Sequence, residues 1–219
     1  MFELFISVIN SAKNVDWVSI LPAIASITVA ITAIFALKTW KHQTRTQLQL
    51  KFLDDLTDSV HEYIHAMEAP IEILKFIKMG IQAHSEIPSP RENEEKYSGM
   101  ITYIIKNGKD DQERLIKYLD KLRPIVSRMI SSATKGQVFG FHNYTQCYDA
   151  CRMLAWSHGQ IQAFALIIGN THLNWENELV QQTLDKVLTI NAEAIKKNVE
   201  EQNSIFLIFV KRCYQSLLG

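Results

Sequence analysis

The sequence predicts an all-α protein, with a single N-terminal transmembrane helix followed by a cytoplasmic helical bundle. Three observations carry that expectation. Twenty consecutive residues, Val18 to Leu37, carry no charge. At a rise of about 1.5 Å per residue they make a helix of roughly 30 Å, the hydrocarbon thickness of a bilayer. Beyond them, apolar residues recur at steps of three and four, the period of one helical face. No stretch alternates apolar and polar residues between turn signals, so nothing in the chain asks for a sheet.

Residues 1–17 read as a short extracytoplasmic N-terminus and 18–37 as the span. Before the span the only basic side chain is Lys13, offset by Glu3 and Asp16, whereas Lys38, Lys41, Arg45 and Lys51 follow it. Positive charge marks the side retained in the cytoplasm, which orients the chain with its N-terminus outside and its C-terminus inside. A cleaved secretory signal would place basic residues ahead of a shorter apolar centre, so the anchor is expected to stay uncleaved. Trp17 and Trp40 fall where indole rings favour the interface, and the stems of Lys38 and Lys41 can reach toward headgroups. The plainer reading of those lysines is as stop-transfer charges. Pro22 sits in the first turn, where an absent N–H costs little. Ala23, Ser26, Ala30 and Ala33 share one helical face, flanked by Ala25, Thr28, Thr32 and Ala36. Small faces let helices approach closely in lipid, which makes this a candidate oligomerisation face, although the same residues are ordinary fillers of membrane helices.

About 180 residues follow the span, enough for one domain with a real core. Basic and acidic side chains number 23 each, a balance that argues against a nucleic-acid partner. Three cysteines on the expected cytoplasmic side make no disulfide framework and should be reduced thiols.

Residues 38–80 are expected to form a long membrane-proximal helix with a kink at Pro70, its stripe running through Leu53, Leu56, Val60, Tyr63 or Ile64, and Met67. Past the proline, Ile71, Leu74, Phe76, Ile77 and Met79 continue the pattern to Gly80. Residues 81–219 belong to the same cytoplasmic domain. His84 to Lys96, with Pro88 and Pro90, reads as an exposed loop. A short helix through Tyr97, Ile101, Ile104 and Ile105 should end at Asn107 and Gly108, with Asp110 or Asp111 capping the next. That next helix carries Leu115, Tyr118, Leu119 and Leu122, with a kink or brief break expected at Pro124 before Ile125, Val126, Met129 and Ile130. Ser131 to Phe141 reads as a connection, and Asn143 to Ile168 as an apolar helix stopped by Gly169 and Asn170. The last helix is expected to start near Asn174 and reach Ser216, with Asn191, Asn198 and Gln202 on its stripe. Its six apolar residues from Ile205 to Val210 call for burial all round the helix, in the domain's own bundle or against a partner or lipid.

His61, Glu62, Tyr63, Ile64 and His65 spell HExxH, in which two histidines one turn apart bind zinc and the glutamate activates water. The metal ligands would be His61 and His65, with Glu62 catalytic. The glycine and third histidine of the extended form are absent, and the candidate third ligands Glu86, Glu92, Glu94 and Glu95 lie in the expected loop. The stripe also turns both histidines away from the core side, which favours solvated side chains. Cys147 and Cys151 share a face with His158, and His142 and His172 are candidates to lie near. Without a second close pair, buried thiols on an apolar helix explain that spacing better than a metal site. No phosphate-binding glycine loop or nucleophile elbow is present.

Phe35, Ala36, Leu37, Lys38, Thr39, Trp40, Lys41, His42 and Gln43 resemble small bacterial membrane proteins of uncharacterised function, in which an apolar span enters an ALxxWKxQ stretch and then a long amphipathic helix. The similarity covers about the first 80 residues. It implies a single-pass layout in the bacterial inner membrane and brings no activity or site residues. The expectation drawn from all this is a membrane-anchored, non-enzymatic protein. Its cytoplasmic domain would bind a protein partner or a signal, as a homo-oligomeric stress or phage-defence effector does. No cofactor is expected on that reading. The alternative is an anchored HExxH zinc metallopeptidase.

Overall fold

A computed structural model describes residues 17–85 and 95–219, without the side chains of residues 17–20 and 95–98. The described residues form five α-helices and one 3₁₀ turn: α1 (Trp17–Ser85), α2 (Glu95–Lys135), the turn Gly136–Phe139, α3 (Tyr144–Ile168), α4 (Glu178–Leu188) and α5 (Ala192–Leu218). No strand occurs among them. The chain divides into two units, Met1–Leu48 and Gln49–Gly219.

The described part of the first unit is helical, and every side chain from residue 21 to residue 43 is exposed. The helix is long and apolar enough to cross a membrane, and none of its apolar window is buried within the protein. Three of its hydroxyls bond within the helix. Ser26 Oγ donates to the Pro22 carbonyl at 2.8 Å, Thr28 Oγ1 to Ile24 at 2.9 Å and Thr32 Oγ1 to Thr28 at 2.8 Å. A helix that bonds its own polar side chains in this way presents an apolar exterior despite its sequence.

In the second unit, α1 buries Leu53, Leu56, Val60, Tyr63, Met67, Ile71, Leu74, Ile77 and Ile81 as one stripe. Tyr63 rather than Ile64 takes the core position, and Phe76 and Met79 point outward. The helix assignment passes Pro70 and Gly80 and ends at Ser85. An interior proline costs about 3 kcal/mol. Met67, Ile71 and Leu74 are buried around it, at about 1.5–3 kcal/mol each, which outweighs that loss.

The helical assignment of α2 continues through Asn107–Gly108, where an end was expected, and through Pro124. Gly108 is a packing residue rather than a stop, because a Cβ there would fall 2.1 Å from the Ile168 carbonyl oxygen at the end of α3. Asp111 is no cap: it is buried, accepts a 2.8 Å hydrogen bond from Tyr103 Oη and faces Arg114 at 3.6 Å. Pro124 lies on the exposed side, where water can take the carbonyl its missing N–H leaves unpaired. The true break comes later than expected. Gly140 (φ 68°) and Asn143 (φ 56°) both adopt the left-handed conformation, which glycine adopts freely and asparagine tolerates, and the chain reverses into α3.

Helix α3 and its end at Gly169 follow the sequence reading. The expected final helix is two, separated at Thr189–Asn191. Asn177 opens α4 by accepting from the Leu179 amide at 2.9 Å, and Asn191 opens α5 by accepting from Glu193 and Ala194 at 2.8 and 3.1 Å. Lys78 of α1 closes the end of α4, donating to the Leu188 and Ile190 carbonyls at 2.6 and 2.5 Å. Burial lowers its pKa. Along the apolar run of α5, Phe206, Phe209 and Val210 are buried whereas Leu207 and Ile208 are exposed, so burial on every side does not hold. The stripe of α1 shares one core with α2, α3 and α5, and α4 adds Val187 to it.

Candidate functional site

Because Tyr63 points into the core, its neighbours His61, Glu62 and His65 point out, and all three are exposed. Glu62 is held in an ion pair by Arg128 of α2. His65 Nδ1 lies 3.8 Å from Glu68 Oε1, with both side chains largely in solvent. To activate a water, Glu62 would first have to leave its guanidinium partner. No group of three His, Cys, Asp or Glu among the described residues is disposed to hold a metal ion. Glu86, Glu92 and Glu94 lie outside the described residues, as does the side chain of Glu95.

The cysteines are buried and free. The neighbouring Cys151 thiol, together with burial, pushes the Cys147 thiol well above its ordinary value, and burial raises Cys213 as well. Cys147 and Cys213 are therefore protonated thiols, poor nucleophiles and poor metal ligands. His158 is buried on the same helix with Nε2 3.4 Å from the Leu119 carbonyl oxygen, and burial lowers its pKa. His142 and His172 are exposed on the connections flanking α3.

Polar groups tie the second unit together across its core. Tyr63 Oη donates to the Leu154 carbonyl at 2.5 Å, linking α1 to α3. Asn198 Nδ2 donates to Ser157 Oγ at 2.9 Å, linking α5 to α3. The polar residues on the α5 stripe are thus a helix cap (Asn191), a half-buried bridge (Asn198) and Gln202, whose Nε2 donates to Asn198 Oδ1 at 3.5 Å.

One concavity of the second unit lies at the reversal between α2 and α3. Its volume is about 440 Å³, and its lining includes Gln49, Phe141, His142, Phe209 and Arg212. Its lining residues Phe141 and Phe209 belong to an aromatic cluster: Phe141 stacks with Tyr144 at 6.0 Å, Phe209 meets Phe141 edge-on at 6.0 Å, and Phe52 lies 5.8 Å from Phe141. Tyr144 Oη donates to the Ala133 carbonyl at 2.6 Å, fixing the end of α2 against the start of α3. Gln49 is buried, and its Nε2 donates to the Phe139 carbonyl at 3.0 Å, holding the 3₁₀ turn. The site draws on three distant segments, so no local pattern in the sequence announces it. The available signal was Gln49, a polar residue in register with Leu53 and Leu56 on the core stripe.

In the first unit, Lys38, Trp40 and Lys41 are exposed, Arg45 follows on the same helix, and the Trp17 side chain lies outside the described residues. Ala23, Ser26, Ala30 and Ala33 are exposed along one face. Comparison with protein-family models, with curated proteins and with solved structures finds no match to this chain.

Proposed function

We propose that this chain is an uncleaved, single-pass protein of the bacterial inner membrane, N-terminus outside, whose helical-bundle cytoplasmic part binds a partner or signal without catalysing a reaction. The observation that carries this is the apolar helix with no cover. Leu21, Ile24, Ile27, Val29, Ile31, Ile34, Phe35 and Leu37 are all exposed. Moving eight such side chains from water into hydrocarbon is favourable by on the order of 10–20 kcal/mol. The self-bonded hydroxyls of Ser26, Thr28 and Thr32 reduce the polar penalty of that transfer, and the basic residues from Lys38 to Lys51 favour an inside C-terminus. The resemblance at Phe35 to Gln43 supports the same layout.

The small face at Ala23, Ser26, Ala30 and Ala33 supports self-association, and the helical assignment running from Trp17 to Ser85 supports communication between anchor and cytoplasmic part. An oligomeric effector that alters its membrane packing when the cytoplasmic part is occupied, as in stress or phage defence, is the form this reading takes. Full-length protein should resist alkaline carbonate extraction, and a reporter fused after Gly219 should be cytoplasmic. A product that washes off vesicles, or a periplasmic reporter, overturns the assignment. Cross-linking in membranes should give discrete multimers; a strict monomer at high density removes the oligomeric form.

A further inference from the structure

We propose that the cavity at the α2–α3 reversal is a binding site for a small amphipathic monocarboxylate with a flat apolar body. The inference rests on the reading that this part of the chain receives a signal, and it supplies the chemical class of that signal. At about 440 Å³ the cavity lies in the range of small-molecule sites, roughly 300–1,000 Å³. Its walls divide by chemistry. Phe141, Phe209 and Leu217 present apolar surface, and the crossed rings of the phenylalanines offer faces and edges suited to a flat group. Arg212, His142 and Gln146 share the lining with them.

The lining contains no aspartate or glutamate, so the only fixed charge in the wall is positive. Arg212 makes no ion pair or hydrogen bond with any described residue. Asp149 lines an adjoining recess with Arg212 and forms no ion pair with it. One unengaged guanidinium on a wall free of acids selects an anion of single charge. Its planar donors fit the two oxygens of a carboxylate. A phosphate dianion would call for more cations than this wall supplies. The rigid surroundings favour a preformed site: Gln49 holds the Phe139 carbonyl, Tyr144 holds Ala133, and the left-handed residues Gly140 and Asn143 set the loop between them.

The test uses full-length protein in phosphatidylcholine nanodiscs, with empty discs subtracted. Binding of 1-naphthoate is measured by equilibrium dialysis, with naphthalene-1-carboxamide as the uncharged control. Wild type should bind naphthoate saturably, one per chain, and the carboxamide more weakly. Arg212→Gln should weaken naphthoate by about tenfold, the loss of one charge-assisted pair at a part-exposed site, and leave the carboxamide unchanged. Arg212→Lys should retain part of the difference. Ser216→Trp, which fills the cavity from an exposed position, should abolish both. No saturable binding, an equal affinity for the carboxamide, or unchanged naphthoate binding in Arg212→Gln and Ser216→Trp overturns the assignment. Carbonate extraction of the same preparations scores the anchor separately. A chain that stays in the membrane without binding overturns the cavity alone, and one that binds but washes off overturns the anchor alone.

Discussion

Removing a single oxygen from the core should show how α1 is held against α3. Tyr63 is fully buried, and its hydroxyl donates to the Leu154 carbonyl at 2.5 Å. In Tyr63→Phe the ring stays and the bond goes. Leu154 and His158 stand four apart in α3, so the carbonyl keeps its helical amide partner and no group is orphaned. The expected cost is therefore that of one net hydrogen bond, about 0.5–1.5 kcal/mol, or a fall in Tm of about 2–4 °C per kcal/mol for a domain of this size. Tyr63→Ala also empties a large core position and should cost about 3–5 kcal/mol. Unfolding is conveniently followed with a thiol-reactive dye, because Cys147, Cys151 and Cys213 are all buried until the core opens. The pH dependence supplies an internal check. Burial raises the Tyr63 pKa above its ordinary value, so the folded state keeps a proton that the unfolded chain loses above about pH 10. The resulting stability is complete below pH 10 and declines above it, by at most about 1.4 kcal/mol per pH unit. Tyr63→Phe lacks that contribution, so the gap between wild type and variant should narrow in alkali. A Phe variant as unstable as the Ala variant, or a gap independent of pH, would refute this account.

The remaining predictions concern other parts of the second unit and the anchor. Burial lowers the pKa of His158, so wild-type stability should fall as pH drops below about 6.5 while the unfolded chain takes up a proton; His158→Leu should flatten that decline between about pH 6.5 and 5 in unfolding titrations. Gly108→Val should destabilise by more than about 2 kcal/mol, because its side chain meets the Ile168 carbonyl, and a Tm unchanged from wild type would contradict the packing described. Glu62→Gln breaks an exposed pair with Arg128 and should shift unfolding by less than about 1 kcal/mol. Ala30→Leu should lower the yield of cross-linked multimers in membranes and leave the thiol-dye transition in place.

The buried stripe from Leu53 to Ile81 was legible in the sequence because its three and four residue spacing belongs to one face of one helix, a local property. Glycine and proline misled where tertiary contacts override local preference. Gly108 lets α2 meet the end of α3, and Pro124 faces water, so neither ends its helix. The break at Thr189–Asn191 escaped notice because Leu184, Leu188 and Ile195 keep helical spacing across it, and Asn191 read as a seam residue rather than a cap. The cavity was invisible for a related reason. Arg212, Phe141 and Gln49 are separated by long stretches of chain, and only Gln49, polar on a core stripe, hinted that a special position was near.

The ammonium of Lys78 gathers the Leu188 and Ile190 carbonyls from more than a hundred positions away in the chain, so the elbow between α4 and α5 is latched by one charge on a different helix. Acylation of that amine would remove the charge and two of its donor protons at once. Neutralised, the latch loosens, and α4 would then rest on its apolar contacts with the core, Val187 and Leu188, alone.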